Sequence, residues 1–187
     1  MEGKIVYFSN PGPENTEEAL RIAKLRADEL GIKTIVVAST RGETAARAVE
    51  VFDGAKVVAV SHSTGRKEPN FQEFTQENRQ KVESKGGVVL TTTHAFSGLS
   101  AAMRKKFDMR VIGDVVASTL RVLGQGMKVV CEIIVMAADA GLVRTDEDVI
   151  VIAGSSKGAD MAVVLTPVTS TDFFDLKVKE ILCKPHF

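Results

Sequence analysis

The chain has 187 residues, 44% of them hydrophobic, enough for one domain with a sizeable core that needs neither metals nor disulfides to hold it. Lys+Arg and Asp+Glu are equal at 24 each, so the formal net charge is zero and no long basic run stands out, which disfavours nucleic acid and an anionic membrane as partners. Cys131 and Cys183 lie far apart in apolar runs and read as small buried thiols of a reducing compartment, with no metal-ligand spacing around them.

The opening MEGKIVYFSN turns polar too soon for a signal peptide. The longest apolar stretch is interrupted by Glu132 and Asp139, short of the ~18 residues a membrane span needs. A cytoplasmic protein is expected.

In chain order, Lys4–Phe8 (KIVYF) reads as a first strand, followed by the turn-rich SNPGPEN. Asn15 and Glu18 have capping-box spacing, so a helix is predicted from Asn15, with Leu20, Ala23, Ala27 and Leu30 on one face and Gly31 as its stop. Thr34–Ala38 (TIVVA) is a second strand, too uniformly apolar for a sheet with one wet face. Ala45, Ala48, Val49 and Phe52 mark a helix ended by Gly54, and Val57–Val60 is the third strand. After the polar loop SHSTGRKEPN, Phe71, Phe74 and Val82 mark one side of a further helix, ended by Gly86-Gly87. Val88–Leu90 is a fourth strand leading into TTTHAFSGLS. Asp114–Leu123 and Met127–Leu142 read as helices, the second leaving room for a subunit contact in a homo-oligomer. Val149–Ala153 and Ala162–Pro167 are strands flanking GSSKGAD, and too few residues part them for a crossover, so the sheet turns antiparallel there. The chain closes with Phe173-Phe174 and a mixed run, KVKEILCKP. The alternation predicts a single α/β domain over residues 1–187, a three-layer sandwich whose sheet is mostly parallel with an antiparallel C-terminal portion.

Ligands of open α/β sheets bind beyond the carboxyl ends of the strands. The five segments that follow the strands are Ser9–Gly12, Ser39–Thr44, Ser61–Gly65, Thr91–His94 and Gly154–Gly158, all rich in hydroxyls or glycine. Such loops at helix starts suit a phosphate: glycine admits close approach, hydroxyls donate, and the first-turn N–H groups carry a partial positive charge. STRGETA is the best instance, offering Ser39, Thr40, Arg41, Gly42 and Thr44, with Lys157 as a second cation able to complete neutralisation. Neither GxxxxGK[ST] nor GxGxxG occurs, against an ordinary NTPase or Rossmann dehydrogenase. Taken singly, each loop reads better as structural turn and cap chemistry than as a site; it is their number on one edge that favours a shared anion site.

His62 and His94 each follow a strand, where an imidazole either meets a ligand by hydrogen bonding or proton transfer, or merely caps a neighbouring carbonyl. His186 lies in the tail. Glu132 and Asp139, seven apart on an apolar helix, call for partners; structural anchoring is the preferred reading, bordering the pocket the other. No Ser/His/Asp order, paired-acid pattern or metal-ligand cluster stands out, so no catalytic residue and no metal is assigned.

YFSNPGPENTEEAL, VVASTRGETAARAVE, AFSGL, VCEIIVMAADAG, GSSKGAD and FFDLKVKEILCKP together resemble the free-standing archaeal and bacterial proteins related to the pyruvate kinase C-terminal domain, over nearly the whole chain. The resemblance implies that α/β sandwich and, as cofactor, FMN at the strand-end site, whose remaining wall would be His62, Thr92, Thr93, His94, Gly154, Ser155 and Ser156. In the full enzyme the C-terminal domain can hold a regulatory sugar phosphate on a Ser/Thr-rich loop at a helix start, which Ser39, Thr40, Gly42 and Thr44 resemble. It does not imply kinase activity, which resides in a (β/α)₈ barrel that 187 residues cannot also hold. The expected partner is therefore a phosphorylated small molecule, bound either for flavin chemistry or by a non-catalytic sensor of a sugar phosphate or nucleotide. A third reading is an enzyme acting on a phosphorylated metabolite through His62 or His94.

Overall fold

A strand buried on both faces must send alternate side chains into two separate cores. In Thr34–Ala38 (β2), Ile35 and Val37 enter one core and Val36 the other; in Val149–Ala153 (β5), Ile150 and Ile152 are divided in the same way from Val149, Val151 and Ala153. That is why TIVVA and VIVIA are continuous apolar runs. The computed structural model describes residues 3–187.

Seven strands form one sheet in the order β1-β7-β6-β5-β2-β3-β4, the others being Val6–Phe8 (β1), Lys56–Ser61 (β3), Val88–Thr91 (β4), Met161–Thr166 (β6) and Lys177–Pro185 (β7). β2 pairs in parallel with β3 and β5, β3 with β4, and β1 with β7. β6 alone runs the other way, antiparallel to both β5 and β7. The expected mostly parallel sheet with an antiparallel C-terminal portion is thus observed.

Thr16–Leu30 (α1), Glu43–Val51 (α2) and Gln76–Ser84 (α3) cover one face through Ala19, Leu20, Ala23, Ala48, Val49 and Val82. Ile112–Leu120 (α5) and Gln125–Asp139 (α6) cover the other, with α6 burying Met127, Val130, Ile134 and Ala137. The apolar face of α6 is therefore spent within the chain, and the subunit contact expected of it has no free surface there. Cys131 and Cys183 are both buried and unbonded, and burial pushes their thiols up to about 11 and about 12, out of reach of ordinary thiolate chemistry. Among the described residues, no helix is long and apolar enough to cross a membrane.

Several local readings need correction. Asn15 caps α1 without the expected box: its amide donates to the carbonyls of Asn10 and Gly12, and Glu18 instead pairs with Arg21. Phe71 and Phe74 precede α3, so the predicted helix starts late, at a Thr75 hydroxyl that accepts from the Asn78 N–H. A helix over Gly98–Phe107 (α4) was not expected, since it buries no residue fully and shows no apolar face to read. KVKEILCKP, expected only as a mixed run, is β7; its inner position makes the sheet close on β1.

The two halves of the carboxyl edge are tied by Asp160, which is fully buried at the start of β6. Its carboxylate accepts from the Gly12 N–H at 3.0 Å and the Ser155 N–H at 3.1 Å, joining the loop after β1 to the β5–β6 hairpin. Asp160→Ala leaves both donors without an acceptor and is expected to lower the unfolding free energy by about 2–4 kcal/mol. Urea unfolding with an unchanged m-value checks this, and a loss under about 0.5 kcal/mol would remove Asp160 from the role.

Candidate functional site

Because β1 to β5 share one direction, all five loops singled out in the sequence emerge on one edge of the sheet. Over β2, β3 and β5 they surround a cavity of about 690 Å³, within the range of small-molecule sites. Its walls include Ser39, Thr40, Arg41 and Thr44 after β2, His62 after β3, His94 after β4 and Gly154, Ser155, Ser156 and Lys157 after β5. Ala38, Val60, Val129 and Ile133 supply apolar surface.

Three expected residues sit differently. Gly42 does not face the cavity; at φ 103° it turns the chain into α2, and a Cβ there would collide with Asn78 and Phe74. Thr92 and Thr93 line a separate hollow with Ala95, Leu99, Ser100 and Met136, and of the TTTH segment only His94 reaches both. The sequence pattern cannot distinguish these positions, because the chain turns away between them. Ser9–Gly12 likewise stay outside, their place at the rim being taken by Pro13 and Thr16.

The start of α2 is built as an anion seat. Ser39 Oγ accepts from the Ala45 N–H at 3.2 Å and the Gly42 carbonyl from the Ala46 N–H at 2.8 Å, while the N–H groups of Glu43 and Thr44 have no acceptor among the described residues. Arg41 stands at this turn, its carbonyl pinned by the Thr75 N–H and the Asn78 amide. Arg41, Arg66 and Lys157 line the cavity with no salt bridge among the described residues.

The opposite wall holds charges in an otherwise apolar helix. Glu132 has a side chain only 2% exposed, and its Oε1 accepts from the Phe96 N–H at 3.0 Å. Its Oε2 accepts from Lys128 Nζ one turn earlier and lies 3.6 Å from His94 Nδ1. Burial pushes this carboxyl up, but His94 and Lys128 outweigh it and hold it down at about 2. Glu132 is thus both an anchor for the β4–α4 loop and a wall of the cavity, whereas Asp139 is exposed at the end of α6 and accepts from the Ser170 N–H. Lys128 was not expected at the site, although its i,i+4 spacing from Glu132 on an apolar helix was a readable signal.

His62 and His94 face one another with ring centroids 5.3 Å apart. His62 Nδ1 meets Glu73 Oε2 at 2.9 Å and its Nε2 the Thr40 hydroxyl at 3.5 Å. Burial pulls His62 below the usual histidine value, more than the Glu73 carboxylate raises it, with Arg66 and His94 adding to the fall. Glu73 and Arg66 come from the loop between β3 and α3, where no sequence motif announced them. His186 lies outside the site, edge-on to Tyr7 at 5.8 Å.

A model of the pyruvate kinase alpha/beta domain family matches residues 17–165, which takes in the cavity's loops after β2, β3, β4 and β5 but not Pro13 and Thr16 at its rim. The chain belongs to that family. Among solved structures, a pyruvate kinase from Cryptosporidium parvum is similar over 82% of this chain at 12% identity, with a TM-score of 0.44. The chain spans 23% of that protein's length.

The Glu132 carboxyl is lowered from 4.5 to about 2 on folding, so its contribution is complete above pH 4.5 and is lost as pH falls toward 2. The amount is on the order of 3 kcal/mol. Acid unfolding of Glu132→Gln is expected to be less stable than the parent at pH 7 and to show a flatter stability curve between pH 4.5 and 2. Parallel curves for the two proteins would contradict the assignment.

Proposed function

We propose that the cavity binds a phosphate-bearing small molecule, with FMN the leading ligand, and that the phosphate rests on the Ser39–Thr44 turn. The observation that carries this is the start of α2, where two free N–H groups, the Thr40 and Thr44 side chains and Arg41 converge on one cavity wall. The rest of the wall suits a flat, polar-edged ring: Ala38, Val60, Val129 and Ile133 give apolar contact, and His62, His94 and Gly154–Ser156 give polar groups around it. FMN bound there would supply electron transfer, while the chain supplies binding and electrostatics.

A second reading is a non-catalytic sensor for a sugar phosphate or a nucleotide. It is favoured by the state of two acids beside the cavity, the third, Glu43, being exposed at the start of α2. Glu132 is occupied by Phe96 and Lys128, and Glu73 is engaged by His62, which leaves neither carboxylate free as a base. Family membership lends no support to kinase activity, because a fold does not carry a reaction with it.

Reconstitution with excess FMN separates the two. The flavin reading expects retained colour and a thermal shift, with FMN bound at least about tenfold more weakly by Arg41→Ala/Thr44→Ala. Neither colour nor shift would sink it. Stabilisation by a sugar phosphate or nucleotide without FMN binding would favour the sensor.

A further inference from the structure

Strand register brings Thr40 and His62 together. Ala38 of β2 lies opposite Val60 of β3, and Thr40 and His62 each follow two positions later, so both reach the cavity side by side. The Thr40 hydroxyl and His62 Nε2 stand 3.5 Å apart, a long contact of the kind that tightens once a substrate is seated. On the other side of the ring, Nδ1 meets Glu73 Oε2 at 2.9 Å. The loop holds that carboxylate in place without help from the imidazole. The Gln72 amide donates to the His62 carbonyl at 3.0 Å, the Phe74 N–H to Gln72 Oε1 at 2.9 Å and the Thr75 N–H to the Arg41 carbonyl at 3.1 Å.

A carboxylate only accepts, so the proton of the neutral ring sits on Nδ1 and Nε2 turns a lone pair to the Thr40 hydroxyl. Burial is the main influence holding His62 below its ordinary 6.5; Arg66 and His94 act the same way and Glu73 against them, so the ring is neutral at pH 7. Hydroxyl, imidazole and carboxylate in this order make an activated nucleophile on whatever fold carries them. Thr40 is half-buried and the His62 side chain is 31% exposed, so both are open to a ligand in the cavity. Arg41, Arg66, Lys157 and the first turn of α2 lie around them, groups that stabilise the oxygens of a phosphoryl group in transfer.

We propose that Thr40 is a self-phosphorylation site: with His62 as base and Glu73 as positioning residue, its hydroxyl takes the phosphoryl group of an acyl phosphate bound in the cavity. The inference goes beyond the binding reading above and rests on it for the phosphate seat. Thr40 Oγ attacks phosphorus and its proton passes to His62 Nε2, while the bond from phosphorus to the acyl oxygen breaks and its electron pair leaves on the carboxylate. In-line displacement puts the leaving oxygen opposite Thr40, out of reach of the proton on His62. A carboxylate leaves without that proton, whereas the alkoxide of a sugar phosphate or of FMN does not, so those ligands bind without reacting. The phosphothreonine then fills the seat itself.

The full chain is incubated with acetyl phosphate and the product mapped by mass spectrometry at neutral pH. The expected result is one added phosphoryl group on Thr40, stable to mild acid. A label elsewhere, or an acid-labile one of the kind phosphohistidine gives, overturns the proposal. Thr40→Val is expected to abolish the label and Thr40→Ser to keep it, which separates loss of the hydroxyl from loss of the fold. His62→Gln is expected to slow labelling by about a hundredfold; an unchanged rate overturns the role of the base. The parent rate is expected to rise with pH and level off, with a midpoint below 6.5 that falls further in Glu73→Gln, because that carboxylate favours the charged ring. An unmoved midpoint overturns the role of Glu73. Thermal stabilisation by inorganic phosphate, lost in Arg41→Ala/Thr44→Ala, reads the seat separately. No label in a protein that phosphate stabilises overturns this inference alone; no label and no stabilisation overturn both.

Discussion

Strand direction is the constraint from which the site follows. A helix joins each of the first strands to the next, so β1, β2, β3 and β4 all point the same way, and β5 joins them by pairing with β2. Every loop that leaves a carboxyl end is thereby delivered to one edge, where the first turns of α1 and α2 also lie. The single reversed strand, β6, makes this compatible with a tight GSSKGAD hairpin, since β5 and β6 meet at that edge without a crossover. Gly158 then packs so closely that a Cβ would strike Thr16 and Pro13, while the Ala159 N–H donates to the Thr16 hydroxyl at 3.0 Å. Asp160 completes the union from below. The anion seat, the apolar wall and the histidines are close only because these connections hold.

The charges of α6 are a second design element. A lysine and a glutamate inside an apolar helix gain little stability as a pair, because desolvation offsets most of their attraction. Here they do more than pair. Glu132 fixes the loop after β4 through the Phe96 N–H, Lys128 lies 5.8 Å from the Phe96 ring, and together they present a net-neutral surface to His94. A group that would be a liability in a plain core thus gives one imidazole a defined orientation at the cavity wall.

Family membership and the chain's own sheet have different extents. The family match covers residues 17–165, from the start of α1 to the end of β6. β1 and β7 lie outside it and pair with each other, Val6 opposite Cys183 and Phe8 opposite Pro185. β7 also pairs along β6, and Arg26 of α1 reaches Glu180 with two hydrogen bonds. These two strands extend the sheet beyond the matched core and bring Pro13 to the rim of the cavity.

The amino-acid sequence by itself determined the layers and much of the edge. Doubly buried strands need unbroken apolar runs, so TIVVA, VVAV and VIVIA were readable without a partner strand, as was the reversal at GSSKGAD. Hydroxyl-rich segments after those runs pointed to an anion site, and nine of the twelve singled-out residues line one cavity, with Gly42, Thr92 and Thr93 apart from it. Tertiary structure decided the rest. α4 has no buried face to give it a period, and Phe71 and Phe74 mimic helical spacing while serving a loop whose buried Phe74 packs at Gly42. Whether His94 points to the same space as His62, and whether Glu132 is an anchor or a wall, depends on strand order and on where α6 crosses the sheet. Periodicity is a property of neighbours in the chain, whereas a site is made of residues whose distance is set by the packing of elements far apart in it.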